Sequence, residues 1–121
     1  MTQALVVDDI RQMVDSLCQM LALLNVPAIP AYGARAAIEI LNECTPDVVF
    51  MDLNMPGLGG MDVIRYMQRE PRLAAVPVIV VTSDDQPVTA QRAKALGVAA
   101  LLVKPVQMDG IESALKKIGL L

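Results

Sequence analysis

The segment VVFMDLNMPGLGGMDVI, residues 48–64, decides the fold of this chain. It opens with four consecutive apolar residues and then Asp52, a run that is too short for a helix. Such continuous short runs are typical of parallel strands that are covered on both faces. A glycine-rich loop follows, after which Val63, Ile64 and Met67 recur with helical spacing. The segment therefore predicts a strand, a turn and a helix.

The same alternation extends to both ends of the chain. Short apolar runs predict strands at 4–7, 26–31, 47–51, 77–81 and 99–103. Apolar residues three and four apart predict helices at 10–24, 34–43, 61–69, 88–96 and 108–118. Regular alternation of this kind predicts an α/β fold, with a five-stranded parallel sheet and helices on both faces. Because crossovers are right-handed, the flavodoxin-like strand order 2-1-3-4-5 is the natural choice.

Length and composition narrow the class of protein. A chain of 121 residues, 55% of them hydrophobic, fits a single domain over residues 1–121. The net charge of −3 offers no basic field for nucleic acid. The chain lacks an apolar run of membrane-spanning length and a signal-peptide pattern, so a cytoplasmic protein without membrane insertion is expected. It also lacks histidine, the commonest general base.

Polar residues follow four of the five predicted strands. They are Asp8 and Asp9 after the first, Asp52 after the third, Thr82 and Ser83 after the fourth, and Lys104 and Pro105 after the fifth. Because the carboxyl ends of parallel strands meet at one edge of a sheet, these side chains are expected to share one pocket. That pocket would hold three carboxylates, a hydroxyl and an ammonium group.

Such a pocket suits a metal ion and phosphoryl chemistry. Three neighbouring carboxylates repel one another, and without a cation some of them would take up protons. Mg²⁺ prefers oxygen ligands, so Asp9 and Asp52 could bind it directly and Asp8 through water. A carboxylate can also act as a nucleophile and form an aspartyl phosphate, whose oxygens Lys104 and Thr82 would contact. Taken singly, the aspartates also suit turns and helix caps, but their joint placement favours a functional pocket.

With these motifs in place, the sequence resembles the receiver domains of bacterial response regulators over essentially its whole length. Four segments carry the resemblance: VVDDI at 6–10, VVFMDLNMPGLGGMDVI at 48–64, VIVVTS at 78–83 and GVAALLVKPV at 97–106. The second is the most specific, with a strand that ends in Asp, then Met-Pro-Gly, a further Gly and a helix. The other three segments gain weight from their order along the chain.

The resemblance implies a role for each residue of the pocket. Asp52 would accept a phosphoryl group from a histidine kinase or a histidine phosphotransfer protein. Asp8, Asp9, Asp52 and the backbone carbonyl of Asn54 would hold Mg²⁺. Thr82 would be the switch hydroxyl, Lys104 would contact the phosphate, and a cis peptide bond would precede Pro105. The chain would be a phosphoacceptor rather than an enzyme, and would signal to a target protein or a second receiver.

Two positions bear on how the signal is read and how long it lasts. Where the family usually has an aromatic residue three positions before the lysine, this chain has Leu101. The aromatic side-chain switch of the family is therefore not expected here. Asn54 and Asp84 occupy the family positions that shape access of water to the acyl phosphate. Both are small and polar, which predicts a short-lived phosphoryl state.

The resemblance also implies an output surface made by the fourth helix, fifth strand and fifth helix. Its members would be Ala90, Lys94, Leu101, Val103, Val106, Ala114 and Lys117. Two alternatives to a signalling receiver are weighed: a degenerate receiver that acts as an interaction scaffold, and a phosphotransferase of the haloacid-dehalogenase type. The retained pocket residues count against the scaffold. Asn54, where the dehalogenase type has a second acid, counts against the enzyme.

Overall fold

The computed structural model describes residues 2–53, 55, 57 and 59–121. Within these residues five strands alternate with five helices. The strands are β1 (Ala4–Asp8), β2 (Ala28–Tyr32), β3 (Val48–Asp52), β4 (Val78–Thr82) and β5 (Ala100–Val103). The helices are α1 (Arg11–Leu23), α2 (Ala34–Glu43), α3 (Gly60–Arg69), α4 (Pro87–Ala95) and α5 (Met108–Lys117). Each element that the sequence predicts is present.

The sheet has the order β2-β1-β3-β4-β5, and every neighbouring pair is parallel. This confirms the predicted α/β architecture. The three central strands are buried along their whole length, whereas β2 and β5 at the edges are partly exposed. The central strands are thus covered on both faces, as their continuous apolar runs indicate, whereas the apolar run of β5 lies at an edge.

Two apolar cores lie on opposite faces of this sheet. Side chains along β3 alternate between the two faces of the sheet. Val49 and Met51 therefore enter one core, and Val48 and Phe50 enter the other. The first core is closed by α2, α3 and Ala93 of α4. The second core is closed by α1 and α5. The layers place the carboxyl ends of β1, β3 and β4 together at one edge.

The strand ends differ from the prediction by one residue. Asp8, Asp52 and Thr82 are the last residues of their strands, not the first residues after them. The reason is that their backbones still pair with neighbouring strands, for example Asp52 with Val81 and Thr82 with Val103. Backbone pairing therefore fixes the positions of these three polar side chains.

Two local predictions are confirmed. Pro87 occupies the first turn of α4, and the Lys104–Pro105 peptide bond is cis. Among the described residues, none of the helices combines the length and apolar character that crossing a bilayer requires.

Candidate functional site

The carboxyl edge of the sheet gathers the predicted acidic residues. Asp8 and Asp52 are buried at 5% and 4% exposure, and Asp9 is exposed at the rim. One carboxylate oxygen from each of the three lies within 4.8 Å of the others. Because all three offer oxygen atoms, the cluster has the ligand chemistry that hard divalent cations prefer. Asn54, the fourth predicted ligand, lies outside the described residues.

Lys104 brings a positive charge into this cluster. Its Nζ donates a hydrogen bond to Asp8 Oδ2 at 2.9 Å and lies 3.8 Å from Asp52 Oδ2. Its backbone N–H donates to the carbonyl oxygen of Thr82 at 2.7 Å, which fixes where the side chain begins. The cluster thus holds three acidic side chains and one basic side chain, an excess of two acidic groups. A divalent cation would balance that excess.

Lys104 and a backbone N–H decide the protonation of Asp8. Burial alone would raise the pKa of Asp8. The hydrogen bond from Lys104 and the backbone N–H of Ile10, at 3.1 Å from Asp8 Oδ1, outweigh burial and lower the pKa. The sequence pattern predicts a phosphate contact for Lys104 but does not indicate its contact with Asp8. Asp8 therefore stays ionised.

The position of Asp52 depends on a glycine that the sequence argument did not single out. Gly60, the first residue of α3, packs directly against the end of β3. A Cβ atom at Gly60 would lie 2.1 Å from the carbonyl oxygen of Asp52 and 3.0 Å from the Cα of Leu53. Real Cβ atoms do not approach so closely, so a side chain here would displace the backbone of Asp52. In the sequence, this close approach is indicated only by the second glycine of the pair Gly59-Gly60.

Thr82 is fully buried beside Asp52, at the end of the next strand. Its Oγ1 accepts a hydrogen bond from the backbone N–H of Asp84 at 3.1 Å. The Asp84 carboxylate in turn accepts from the backbone N–H of Gln86 at 2.9 Å and from Thr89 Oγ1 at 2.5 Å. The bonds from Thr89 and then Gln86 lower the pKa of Asp84. Both carboxylate oxygens of Asp84 thus accept hydrogen bonds from residues at the start of α4. The role of Asp84 in orienting water stays a prediction.

The predicted output surface is only partly a surface. Ala90, Lys94, Leu101 and Lys117 line an open hollow of about 380 Å³ between α4, β5 and α5. Val103 is exposed. The prediction is wrong for Ala114, which is buried in the second core, whereas Val106 is half-buried and packs against that core. The reason is that α5 turns its apolar stripe towards the sheet.

Comparisons with known proteins agree with this geometry. A family model of the response regulator receiver domain matches residues 4–116. Protein PilH of Pseudomonas aeruginosa is 33% identical over 109 residues, 90% of either chain. The chemotaxis protein CheY of the same organism is 31% identical over 120 residues, 94% of this chain and 93% of that protein.

Solved structures give the same picture of the fold. A response regulator receiver protein from Pseudomonas putida has a TM-score of 0.87 and 31% identity over 96% of each chain. The chemotaxis protein CheY4 of Vibrio cholerae has a TM-score of 0.90 over 98% of each chain. At 24% identity, that second likeness bears on the fold alone.

Proposed function

Because the chain belongs to the response-regulator receiver family, we propose that Asp52 accepts a phosphoryl group in a Mg²⁺-dependent reaction. The phosphoryl group would come from a phosphohistidine on a sensor kinase or a histidine phosphotransfer protein. The single observation that carries the proposal is the placement of Asp52: a buried carboxylate, 3.8 Å from Lys104 and clustered with Asp8 and Asp9.

The chemistry is a displacement at phosphorus. One carboxylate oxygen of Asp52 forms a bond to phosphorus, the phosphorus–nitrogen bond of the donor breaks, and its electron pair leaves with the imidazole. Asp52 needs no general base, since an ionised carboxylate is already a nucleophile. This suits a chain without histidine. The product is an acyl phosphate on this chain, which makes the chain a phosphoacceptor and not an enzyme.

The surrounding residues stabilise the transferred group. Lys104 is already 3.8 Å from the acceptor carboxylate, so its ammonium can contact a phosphoryl oxygen on Asp52 after a small movement. The hydroxyl of Thr82 stands on the adjacent strand and can donate to another phosphoryl oxygen. Asp8, Asp9 and Asp52 would hold Mg²⁺, with Asn54 as the predicted fourth ligand. Bound there, the ion neutralises charge on the phosphoryl oxygens.

The proposal is tested with acetyl phosphate, Mg²⁺ and intact mass spectrometry. The wild-type protein is expected to gain one phosphoryl group, and Asp52→Asn to gain none. Asp62→Asn is the matched control, because Asp62 is an exposed carboxylate on α3, outside the pocket. Stoichiometric labelling of Asp52→Asn would refute the assignment. A wild-type protein that stays unlabelled in the presence of Mg²⁺ and donor would favour the interaction scaffold.

The metal site has its own test. Asp9→Asn is expected to raise the Mg²⁺ concentration for half-maximal phosphorylation by about tenfold, the size typical when a metal loses a supporting group. Glu39→Gln, which removes an exposed charge on α2, is the control and should leave the titration unchanged. Superimposable Mg²⁺ titrations for Asp9→Asn and wild type would remove Asp9 from the site.

The place of the chain in signalling follows from the same proposal. Phosphorylation would alter its surface and thereby its binding to a target protein or to a second receiver. The hollow beside Leu101, with Lys94 and Lys117 at its margin, supports α4, β5 and α5 as the responding region. A cytoplasmic location, where kinases transfer phosphoryl groups, is part of the proposal.

A further inference from the structure

A cavity of about 190 Å³ lies beside the second core, between α1 and the segment that follows β5. Its floor is made by Val6, Phe50 and Val81 of the three central strands, all of them buried. Met13 and Met20 of α1, both half-buried, form a side wall. Nine of its twelve lining residues are apolar. Because protein interiors leave few voids larger than a water molecule, a space of this size in a small domain is notable.

This cavity offers little to water. In the part of the chain that the structure describes, no buried side-chain nitrogen or oxygen lacks a hydrogen-bond partner. The two charged groups in the lining already bind each other, since Lys104 Nζ donates to Asp8 Oδ2 at 2.9 Å. An apolar molecule that displaces water from such a space gains free energy. Ser16 and Pro105, the exposed members of the lining, give access from solvent.

We propose that the cavity is a binding site for a small, uncharged aromatic molecule. An apolar cavity of about 150 Å³ accepts benzene, so the larger space here suits a ring with a short substituent or two fused rings. The thioethers of Met13 and Met20 and the ring of Phe50 favour an aromatic ligand, because sulfur atoms and rings both make favourable contacts with aromatic edges. Since Asp8 and Lys104 neutralise each other, a charged ligand would enter without a counter-ion.

The cavity shares two residues with the acidic cluster, because Asp8 and Lys104 belong to both. A bound ring would exclude water from one side of the Lys104–Asp8 ion pair, and an ion pair is stronger where less water screens it. Lys104 would then be held on Asp8 rather than released towards a phosphoryl group on Asp52. This consequence rests on the proposed function, and it predicts that the ligand slows phosphorylation.

The binding test uses indole as the probe and protein with ¹³C in its methionine methyl groups. Indole is expected to shift the Met13 and Met20 signals saturably, with half-saturation on the order of 1 mM or below for a ligand of this size. Met67, buried in the first core on the opposite face of the sheet, is the internal control and should not shift. Unchanged Met13 and Met20 signals, or equal shifts at all three methionines, would overturn the site.

A pair of variants locates the ligand. Ser16→Phe places a ring at the exposed side of the cavity and should weaken indole binding about tenfold or more, since even one surplus methylene in a pocket has an effect of that size. Gln19→Phe is the matched control, because Gln19 is exposed on the same helix and lies outside the lining. It should bind indole as the wild type does. Wild-type affinity in Ser16→Phe would contradict the assignment.

The consequence for phosphorylation is measured by intact mass with acetyl phosphate and Mg²⁺. Saturating indole should slow labelling of the wild type and Gln19→Phe about fivefold, the lower end of typical coupling between two sites. Labelling of Ser16→Phe should not respond to the same indole concentration. Indole binding that leaves the labelling rate unchanged would overturn the coupling but not the site. A wild type that gains no phosphoryl group even without indole would overturn the proposed function, while the methyl shifts still decide the site.

Discussion

α3 and α4 occupy equivalent places in the fold and are held in opposite ways. Each follows a strand whose last residue reaches the pocket, Asp52 before α3 and Thr82 before α4. α3 buries four residues against the sheet: Gly60, Val63, Ile64 and Met67. α4, described throughout, buries Ala93 alone. Its start is bonded to the Asp84 carboxylate, and the Asp84 N–H donates to Thr82 at the end of β4.

This difference in packing gives the two sides of the pocket different rigidity. Close apolar packing does not deform in small steps, so the α3 side keeps Asp52 in a fixed position. A few hydrogen bonds contribute only about 0.5–1.5 kcal/mol each, so the α4 side can rearrange at small cost in free energy. The proposed function needs both, because Asp52 would have to be in place before the reaction and the surface would have to differ after it.

Substitution of Gly60 is the strongest test of the difference between α3 and α4. Gly60→Ala is expected to lower the free energy of unfolding by about 3 kcal/mol or more, since its Cβ must push the backbone of Asp52 away. The measurement is urea unfolding, together with the phosphorylation rate of the folded protein.

Gly110 supplies the control for that experiment. It lies in the first turn of α5, and the nearest atom to a Cβ there is Leu102 Cδ2 at 3.5 Å, an ordinary contact. Gly110→Ala should stabilise the protein by about 0.4–1 kcal/mol. Equal effects of the two substitutions would show that α3 is not packed as tightly as described.

Small apolar truncations in the two helices give the next largest effects. Ile64→Val in α3 is expected to cost about 0.5–1.5 kcal/mol, because Ile64 is 2% exposed and its loss leaves a cavity. Val88→Ala in α4 should change stability by less than about 0.5 kcal/mol, since Val88 already faces solvent. Both are measured by urea unfolding. A larger cost at Val88 would mean that α4 is held by packing after all.

The smallest expected effect is the pH dependence of the hydrogen bonds that the Asp84 carboxylate accepts from Gln86 and Thr89. The folded pKa of Asp84 is lowered, first by the Thr89 hydroxyl and then by the Gln86 N–H. Its stabilising contribution is therefore present above the unfolded pKa of about 3.9 and is lost as the pH falls through the lower folded value. Asp84→Asn should be less stable than wild type at pH 7, and the difference should shrink towards pH 3. A difference that is equal at both pH values would contradict this assignment, and Asp85→Asn should show none.

Sequence patterns were sufficient for the fold and for the membership of the pocket. Apolar runs indicate strands because burial on both faces requires them, and the parallel order brings Asp8, Asp52 and Thr82 to one edge. Patterns do not specify side-chain orientation or distance. The contact between Lys104 and Asp8, the approach of Gly60 to Asp52 and the bonds of Asp84 each depend on how two segments dock. The surface position predicted for Ala114 was wrong for the same reason, since packing decides which face of α5 lies against the sheet.

The Lys104–Asp8 ion pair joins residues 96 positions apart in the sequence. Asp8 is the last residue of the first strand, and Lys104 directly follows the last strand. During synthesis, the ribosome releases Asp8, Asp9 and Asp52 well before Lys104 exists. Until β5 pairs with β4, the nascent pocket consists of three mutually repelling carboxylates without this ammonium group. The pocket can reach its finished charge balance only once the fifth strand has been made. A truncated translation product that ends before Lys104 would therefore carry Asp52 without the lysine beside it.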